Sequence, residues 1–532
     1  MIRCRLLFLF FLLTLAAGSP AAAGSDSAPE LRRLSVSPAL GNETLHHNRS
    51  LARFYRERQF QLAWSDGRQL LPAAGELLAA IPAAAGEGLD PRDYHLPVLS
   101  ELSRRFHANP TPRLAAELDL LLSDAFMSLA AHYLNGRIPP ARVDDDWHIP
   151  REEGDPVRML NQALASGRIR DSLQALLPAD PAYAALRSAW QDLQLLAAVG
   201  GWPRLSFKPP LRPGASGPEV TALRQRLAAS GDLPASEGRG ETFDVGLEAA
   251  VRRFQLRHGL LVDAIVGRQT LAALNVPAAE RARQLAVNLE RWRWLPRSFG
   301  ERHLRVNLPA FHLELMENGE SVLAMRVIVG RQVRPTPAFV GRVTYLVLNP
   351  YWEVPHHLAV ADLLPKIQAD PGYLARNGIK VFTAPGGTRL NSAAIAWQQL
   401  GAGNFPYHLR QDPGPKNPLG RIKLMFPNRY TVYLHDTPTP QLFEREQRSF
   451  SSGCIRIEKP IALAQLLLRG TPLAAHATLE AALQDAVNEV VPLPTPIPVY
   501  LLYFTAWVEA DGTLNFRPDL YRRDRRLAAA LR

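Results

Sequence analysis

Apolar residues recur along this chain in three successive rhythms. Residues 51–204 are rich in Ala and Leu, and the run L-A-A-E-L-D-L-L-L-S-D-A-F-M-S-L-A-A-H-Y-L at 114–134 is helical in character. Prolines and glycines break this region into several helices, which predicts an all-α domain. Residues 205–280 open with the turn-rich L-R-P-G-A-S-G-P-E-V, where Ser216 or Gly217 can cap the helix that follows. Val220, Leu223 and Leu227 then recur at helical spacing. Asp244 is positioned to cap a second helix, in which Leu247, Ala250, Val251 and Phe254 fall at i, i+3, i+4 and i+7. Gly259 is a natural stop for it, and 268–274 fit a third short helix. Three such helices make one compact module.

From about residue 300 the period becomes two. Residues 303–308 alternate, and 311–316 and 322–329 flank Asn318-Gly319, a hairpin signal. Residues 343–348, 421–426 and 430–435 add strands, so this domain is β-rich. Residues 356–415 interrupt it with helical stretches and the loop D-P-G-P-K-N-P-L-G. An insertion of that size between strands often forms a lid over a site. In the tail, 499–516 read as two strands around Asp511-Gly512.

The length of 532 residues fits roughly three domains, and a 47% hydrophobic content suffices for real cores. The net charge of +11 suits a polyanionic surface such as a cell wall, yet no basic run marks a patch. No nucleic-acid motif is present. The N-terminus begins M-I-R-C-R, continues with an apolar run at 6–17 and reaches Ala21-Ala22-Ala23, the pattern of a cleaved secretory signal peptide. The run is shorter than the roughly 20 residues of a membrane span, so a membrane link is expected only if this segment is retained as an anchor. These features predict a signal peptide at 1–23, a polar linker at 24–50, and an exported protein of the periplasm or cell envelope.

Export sharpens the meaning of the cysteines. The chain has two, and cleavage would remove Cys4, leaving Cys454 unpaired. One Cys cannot build a thiolate metal site, and no metal or other cofactor is expected. Cys454 is either a buried inert thiol or a nucleophile. It follows the small-residue turn Ser451-Ser452-Gly453 and precedes Ile455-Arg456-Ile457. A thiol attacks carbonyls as the thiolate and needs a base or a lowered pKa. His435, ending the strand Y-T-V-Y-L-H, can serve if two loops meet at one sheet edge, although 14 histidines make a chance partner easy to find. Gly453 allows close backbone approach, the Cys454 N–H is a candidate oxyanion donor, and Arg456 can favour the thiolate or hold a substrate carboxylate.

Two resemblances follow. The module at 205–280 resembles the small three-helix peptidoglycan-binding domain, carried by L-R-P-G-A-S-G-P-E-V-T-A-L-R-Q-R-L, T-F-D-V-G-L-E-A-A-V-R-R-F-Q-L-R-H-G-L and V-G-R-Q-T-L-A-A-L-N. The region around Y-L-H-D and S-S-G-C-I-R resembles the catalytic domain of the L,D-transpeptidases (YkuD-like). It is most similar to their large multidomain YcbB-type members. V-I-V-G-R-Q-V-R-P-T-P at 327–337, N-P-Y-W-E-V-P at 349–355 and G-P-K-N-P-L-G-R-I-K at 414–423 extend the match.

The resemblance implies a multidomain α+β chain: an α-helical scaffold at 51–204, the peptidoglycan-binding-like module at 205–280, and a returning scaffold helix at 281–300 carrying Trp292 and Trp294. A catalytic domain at 301–490 with its lid-like insertion at 356–415 follows, then a C-terminal β-hairpin extension at 491–532. It implies Cys454 as nucleophile, His435 as general base and Tyr433 as a polarising neighbour, with Ser452, Gly453 and Arg456 about the oxyanion and substrate. Ser452 and Arg456 depart from the broad family, where histidine and asparagine are common. A backbone carbonyl, rather than Asp436, can orient the histidine. The implied reaction joins peptidoglycan tetrapeptide stems, donor and acceptor, by 3→3 cross-links with release of D-Ala. It also implies acylation by carbapenems and work beside other cell-wall enzymes. An exported cysteine peptidase, an L,D-carboxypeptidase and a catalytically dead wall-binding protein are the competing readings.

Overall fold

The computed structural model describes residues 27–532, so the expected signal peptide at 1–23 lies outside the described residues. The chain forms two compact units, one from the described part of Met1–Leu134 with Glu153–Leu177, the other from Asn135–Glu152 with Pro178–Arg532. It is a mixed α+β protein.

The first unit is helical. Its axis is the 24-residue helix Pro112–Asn135, buried on nearly every face, with Leu118, Leu121, Leu122 and Phe126 in the core. Two carboxylates on this helix are buried yet fully engaged. Asp119 accepts the Ala63 and Trp64 N–H groups and the Tyr55 hydroxyl. Asp124 accepts the His46 and His47 N–H groups and faces His95 at 2.9 Å, while the other nitrogen of His95 meets Glu43 at 2.6 Å. Buried polar groups so satisfied fix the loops against the helix. The segment 24–50, expected to be a linker, is from Ser27 onward part of this unit. Ala28–Leu34 is a helix whose Leu31 and Leu34 are buried, followed by the small pair of strands Ala39–Leu40 and Glu43–Thr44. Its few apolar residues sit at i, i+3 spacing, too sparse a signal among polar neighbours.

In the second unit, helices Pro181–Ala198 and Ala278–Arg293 pack together, with Trp292 and Trp294 buried at the end of the latter. The three-helix module loops out between them as Pro218–Ala229, Val245–Arg257 and Arg268–Leu274, around Val220, Leu223, Leu247, Val251 and Phe254. Asp244 caps the second helix by accepting the Leu247 N–H at 3.0 Å. The first helix is capped by Gly217 at φ +128°, without a side-chain bond.

The β-rich domain holds nine paired strands: β1 (Arg302–Asn307), β2 (His312–Glu317), β3 (Glu320–Gly330), β4 (Val340–Leu348), β5 (Ile422–Met425), β6 (Leu434–His435), β7 (Ser449–Ser451), β8 (Ile455–Ile457) and β9 (Glu489–Leu502). Their order is β7-β3-β8-β6-β5-β4-β9-β1-β2, and a further β2–β3 pairing closes the sheet on itself like a barrel. Three expectations need correction. Residues 430–433 do not continue β6, because Asn428 accepts the Tyr430 and Val432 N–H groups and donates to the Phe426 and Val432 carbonyls, replacing the ladder by a turn. The insertion is not only helical. Trp352–Glu353, Ile379–Phe382, Arg389–Leu390 and His408–Gln411 form a second, four-stranded sheet over its own core of Leu363, Ile367, Trp397, Phe405 and Leu409. The tail is no mere hairpin extension. The strand β9 lies inside the main sheet, and only Ala506–Val508 and Leu514–Phe516 form the hairpin, before helix Arg523–Ala530. Alternate prolines at 492, 494, 496 and 498 disguise β9, and its register shifts between Pro492 and Ile497 to accommodate them.

Candidate functional site

Strand β6 lies between β5, antiparallel to it, and β8, parallel to it. Side chains alternate across a sheet, so each strand gives one set to the core and the other to the opposite face. Ile422, Leu424, Leu434, Ile455 and Ile457 form the fully buried set. Lys423, Tyr433, His435, Cys454 and Arg456 are therefore the other set and share one face. Register pairs Lys423 with His435 and His435 with Arg456, three side chains in a row across three strands. The Ile455 N–H donates to the Tyr433 carbonyl at 3.0 Å, which draws Cys454 level with Tyr433 and diagonal to His435.

The loop holding Cys454 is braced from behind. Gly453 has φ +120°, a conformation that side-chain-bearing residues rarely adopt, and open space where a Cβ would be. Its carbonyl accepts the Thr336 hydroxyl at 2.8 Å, and its N–H donates to Ser451 Oγ at 3.2 Å. Ser451 Oγ in turn donates to the Cys454 carbonyl. The Gly453 N–H is thereby engaged, and the Cys454 N–H lies next to it in the turn. Ser452 points elsewhere. Its hydroxyl accepts from Arg331 at 3.2 Å and Arg334 at 3.1 Å, and both arginines pair with Asp362 of the insertion. On the other flank Glu353, just before the insertion, pairs with His408 of the insertion and attracts Lys423 electrostatically. The insertion thus reaches the nucleophile turn through Asp362 and the two arginines.

Electrostatics at this face are set by burial and by the cations Lys423 and Arg456, which form no ion pair among the described residues. His435 Nδ1 lies 2.6 Å from the Asp436 carbonyl, so that nitrogen carries the proton, and the Leu419 carbonyl also interacts with the ring. Burial, together with Arg456 and Lys423, pushes His435 down to about 3, leaving a neutral imidazole. Burial pushes the Cys454 thiol up, against the pull of Tyr433 hydrogen bonding, Lys423 and Arg456. Its Sγ donates to the Thr431 carbonyl at 3.5 Å, and no direct bond to His435 forms among the described residues. Burial and the nearby thiol hold Tyr433 well above its usual range, so its hydroxyl remains a donor. The Tyr433 ring lies 5.6 Å from the His435 ring, and Lys423 Nζ sits 4.0 Å from the Tyr433 ring centre. Arg456 donates to Thr439 Oγ1 at 3.5 Å, and its buried Nε has no partner among the described residues. Asp436 serves the backbone. Its carboxylate accepts the Arg421 N–H at 2.8 Å and the Thr437 N–H at 2.7 Å, and Gly420 leaves the room it occupies.

Of the residues singled out from the sequence, the fold brings Cys454, His435, Tyr433, Gly453 and Arg456 together and turns Ser452 toward the insertion. Lys423 was missed, although it stands in the quoted G-P-K-N-P-L-G-R-I-K stretch. One group among the described residues brings metal-ligand atoms within 4.8 Å of one another, His46, His95 and Asp124. It lies in the helical unit, and both nitrogens of its His95 are taken by carboxylates.

Three family models match this chain. One described as "L,D-transpeptidase catalytic domain" covers residues 301–474, one described as "Putative peptidoglycan binding domain" covers 216–274, and a "Scaffold domain" covers 49–189. A Haemophilus influenzae protein named "Putative L,D-transpeptidase" is 35% identical over 277 residues, which is 49% of this chain and 53% of that protein. The match thus spans about half the length of this curated relative. Solved L,D-transpeptidase structures from Xylanimonas cellulosilytica and Stackebrandtia nassauensis share 18% and 14% identity with it. They cover 56% and 60% of this chain and 99% and 98% of their own, at TM-scores of 0.17 and 0.21.

Proposed function

Because the chain belongs, by its catalytic domain, to the L,D-transpeptidase family and also carries a peptidoglycan-binding and a scaffold domain, we propose that it cross-links peptidoglycan in the cell envelope through a Cys454 thioester. The observation that carries this reading is the shared face of Cys454 and His435, with a neutral imidazole available as a base.

The donor is a tetrapeptide stem. Its third-residue carbonyl is attacked by Cys454 Sγ while the thiol proton passes to His435 Nε2. The Cys454 N–H stabilises the oxyanion, with the Tyr433 hydroxyl as a second donor. Collapse of the intermediate breaks the bond to the terminal D-Ala, whose amine takes the proton from His435. The amine of a second stem then attacks the thioester, gives up its proton to His435, and restores the thiol as the 3→3 bond forms. Arg456 and Lys423 supply positive charge for the stem carboxylates. The resting thiol and imidazole are both neutral, so the proton moves only as substrate arrives, and hydrogen bonds loose in the free enzyme tighten then. The insertion, anchored at Asp362 and near Glu353, shields the thioester from water and favours the amine.

Incubating the purified protein with disaccharide-tetrapeptide tests this. Tetrapeptide–tripeptide dimer plus free D-Ala is the expected product pair. Tripeptide alone would make the chain an L,D-carboxypeptidase, and no D-Ala at all would refute the proposed chemistry.

A further inference from the structure

A cleft of about 1360 Å³ lies in the second unit, away from the Cys454 face. Its walls come from the three-helix module, helix Ala278–Arg293, the turn before β7 and the C-terminal helix Arg523–Ala530. It exceeds the roughly 300–1,000 Å³ of small-molecule sites, which suits an oligomer.

Three guanidinium groups in its wall lack a carboxylate partner among the described residues. Arg281 donates to Gln284 Oε1 and the Ala273 carbonyl and lies 4.4 Å from the Phe516 ring centre. Arg517 donates only to the carbonyls of Arg257 and Phe516. Arg448 donates to the carbonyls of Arg445 and Phe311, and its buried Nε has no acceptor. Three acids of the same wall are already engaged, while Glu446 beside them is exposed. Glu280 pairs with Arg283, Asp524 with Arg291 and Thr505, and Asp519 accepts the Tyr503 hydroxyl. Burial, aided by neighbouring guanidiniums, lowers Arg281 to about 9 and Arg448 and Arg517 to about 10, against the opposing pull of Glu458 and Glu444 on Arg448 and of Glu509 on Arg517. The site is also sculpted. A Cβ on Gly259 would stand 2.6 Å from Arg517 Cδ, so glycine there is what seats this arginine.

We propose that this cleft is a second binding site, distinct from the Cys454 face, for a carboxylate-bearing stem peptide of peptidoglycan, gripped by Arg281, Arg448 and Arg517. The proposal rests on the peptidoglycan reading above. Stem peptides offer several free carboxylates on an extended chain, matching three spaced guanidinium forks. Arg448 adjoins β7, which leads to the nucleophile turn. A strand held here would be tethered to the protein that acts on its neighbours, raising their local concentration.

Isothermal titration of the full-length Cys454→Ala chain with disaccharide-tetrapeptide tests it. Two sites are expected. The Arg448→Gln/Arg517→Gln double variant should lose one of them, its affinity falling at least about tenfold. Ala529→Trp, which fills the cleft and spares every guanidinium, should do the same, and it decides the matter if the double variant melts early. A single site in the parent, or two sites kept in the correctly folded variants, would overturn the proposal. So would variant-sensitive binding to phosphatidylglycerol vesicles with the muropeptide stoichiometry unaltered, which would assign the cleft to phosphate groups. D-Ala release by the wild-type chain is measured separately. If it is absent while the change from two sites to one persists, the catalytic reading fails and the cleft stands.

Discussion

His95, in the helical unit, lies between Glu43 and Asp124, with a carboxylate on each ring nitrogen. His435, in the β-rich domain, lies beside Arg456 and Lys423, with only carbonyls to accept from it. Both are buried, and burial alone lowers each. At His95 the hydrogen bonds to Asp124 and Glu43 outweigh it and the ring is raised above its usual value. At His435 the two cations deepen the effect and the ring is pushed down to about 3. The first arrangement completes its own charges and holds loops in place. The second leaves a neutral base among cations that form no ion pair among the described residues. The same side chain is structural in one setting and poised for chemistry in the other, and the neighbours decide which.

The sharpest way to break this comparison is to delete the reactive groups. Cys454→Ala should abolish D-Ala release from disaccharide-tetrapeptide with little change in melting temperature. His435→Ala should slow release by about 10²–10⁴-fold, followed by chromatography of the products. Next in size is Asp124→Ala, which strands a buried charged imidazole and two N–H groups. Urea unfolding should show a loss of about 3–5 kcal/mol, while turnover per folded molecule stays unchanged.

Smaller, and opposite in sign, are the pH dependences. An unfolded histidine titrates near 6.5. Because His95 is raised, its stabilisation is complete below that value and is lost as pH climbs through the folded one. Because His435 is lowered, the folded chain binds fewer protons there between about 3 and 6.5, and stability falls as pH drops through this window. Calorimetry from pH 5 to 9 should find His95→Gln least stable relative to wild type at the acid end, and His435→Gln less acid-sensitive than wild type. Smallest is the effect of the cations on the thiol. Lys423→Met or Arg456→Gln should slow iodoacetamide alkylation of Cys454 at pH 8.5 by a few fold, since both charges favour the thiolate.

Much of this was legible before folding. Capping by Asp244, the apolar spacing of Leu247 to Phe254 and the period-two runs of β1 to β4 announce their elements locally. Cys454 and His435 stand out because their residue types carry chemistry and each adjoins a recognisable stretch. What stayed hidden depends on pairing. Lys423 becomes a neighbour of His435 only through the β5–β6 register, and Ser452 is claimed by Arg331 and Arg334 from more than a hundred residues away. The prolines of β9 read as breakers, yet the strand tolerates them through a register shift. Sheet strands in the insertion, such as Ile379–Phe382, are too short to separate from loop.

The central claim is that Cys454 carries the donor stem as a thioester. Intact-mass measurement after brief mixing with disaccharide-tetrapeptide, quenched in acid, tests it directly. The predicted result is an adduct of the donor less one D-Ala, mapped to Cys454 and absent from Cys454→Ala. Cross-linked product from the Cys454→Ala chain, or an adduct mapped to any other residue, would contradict it.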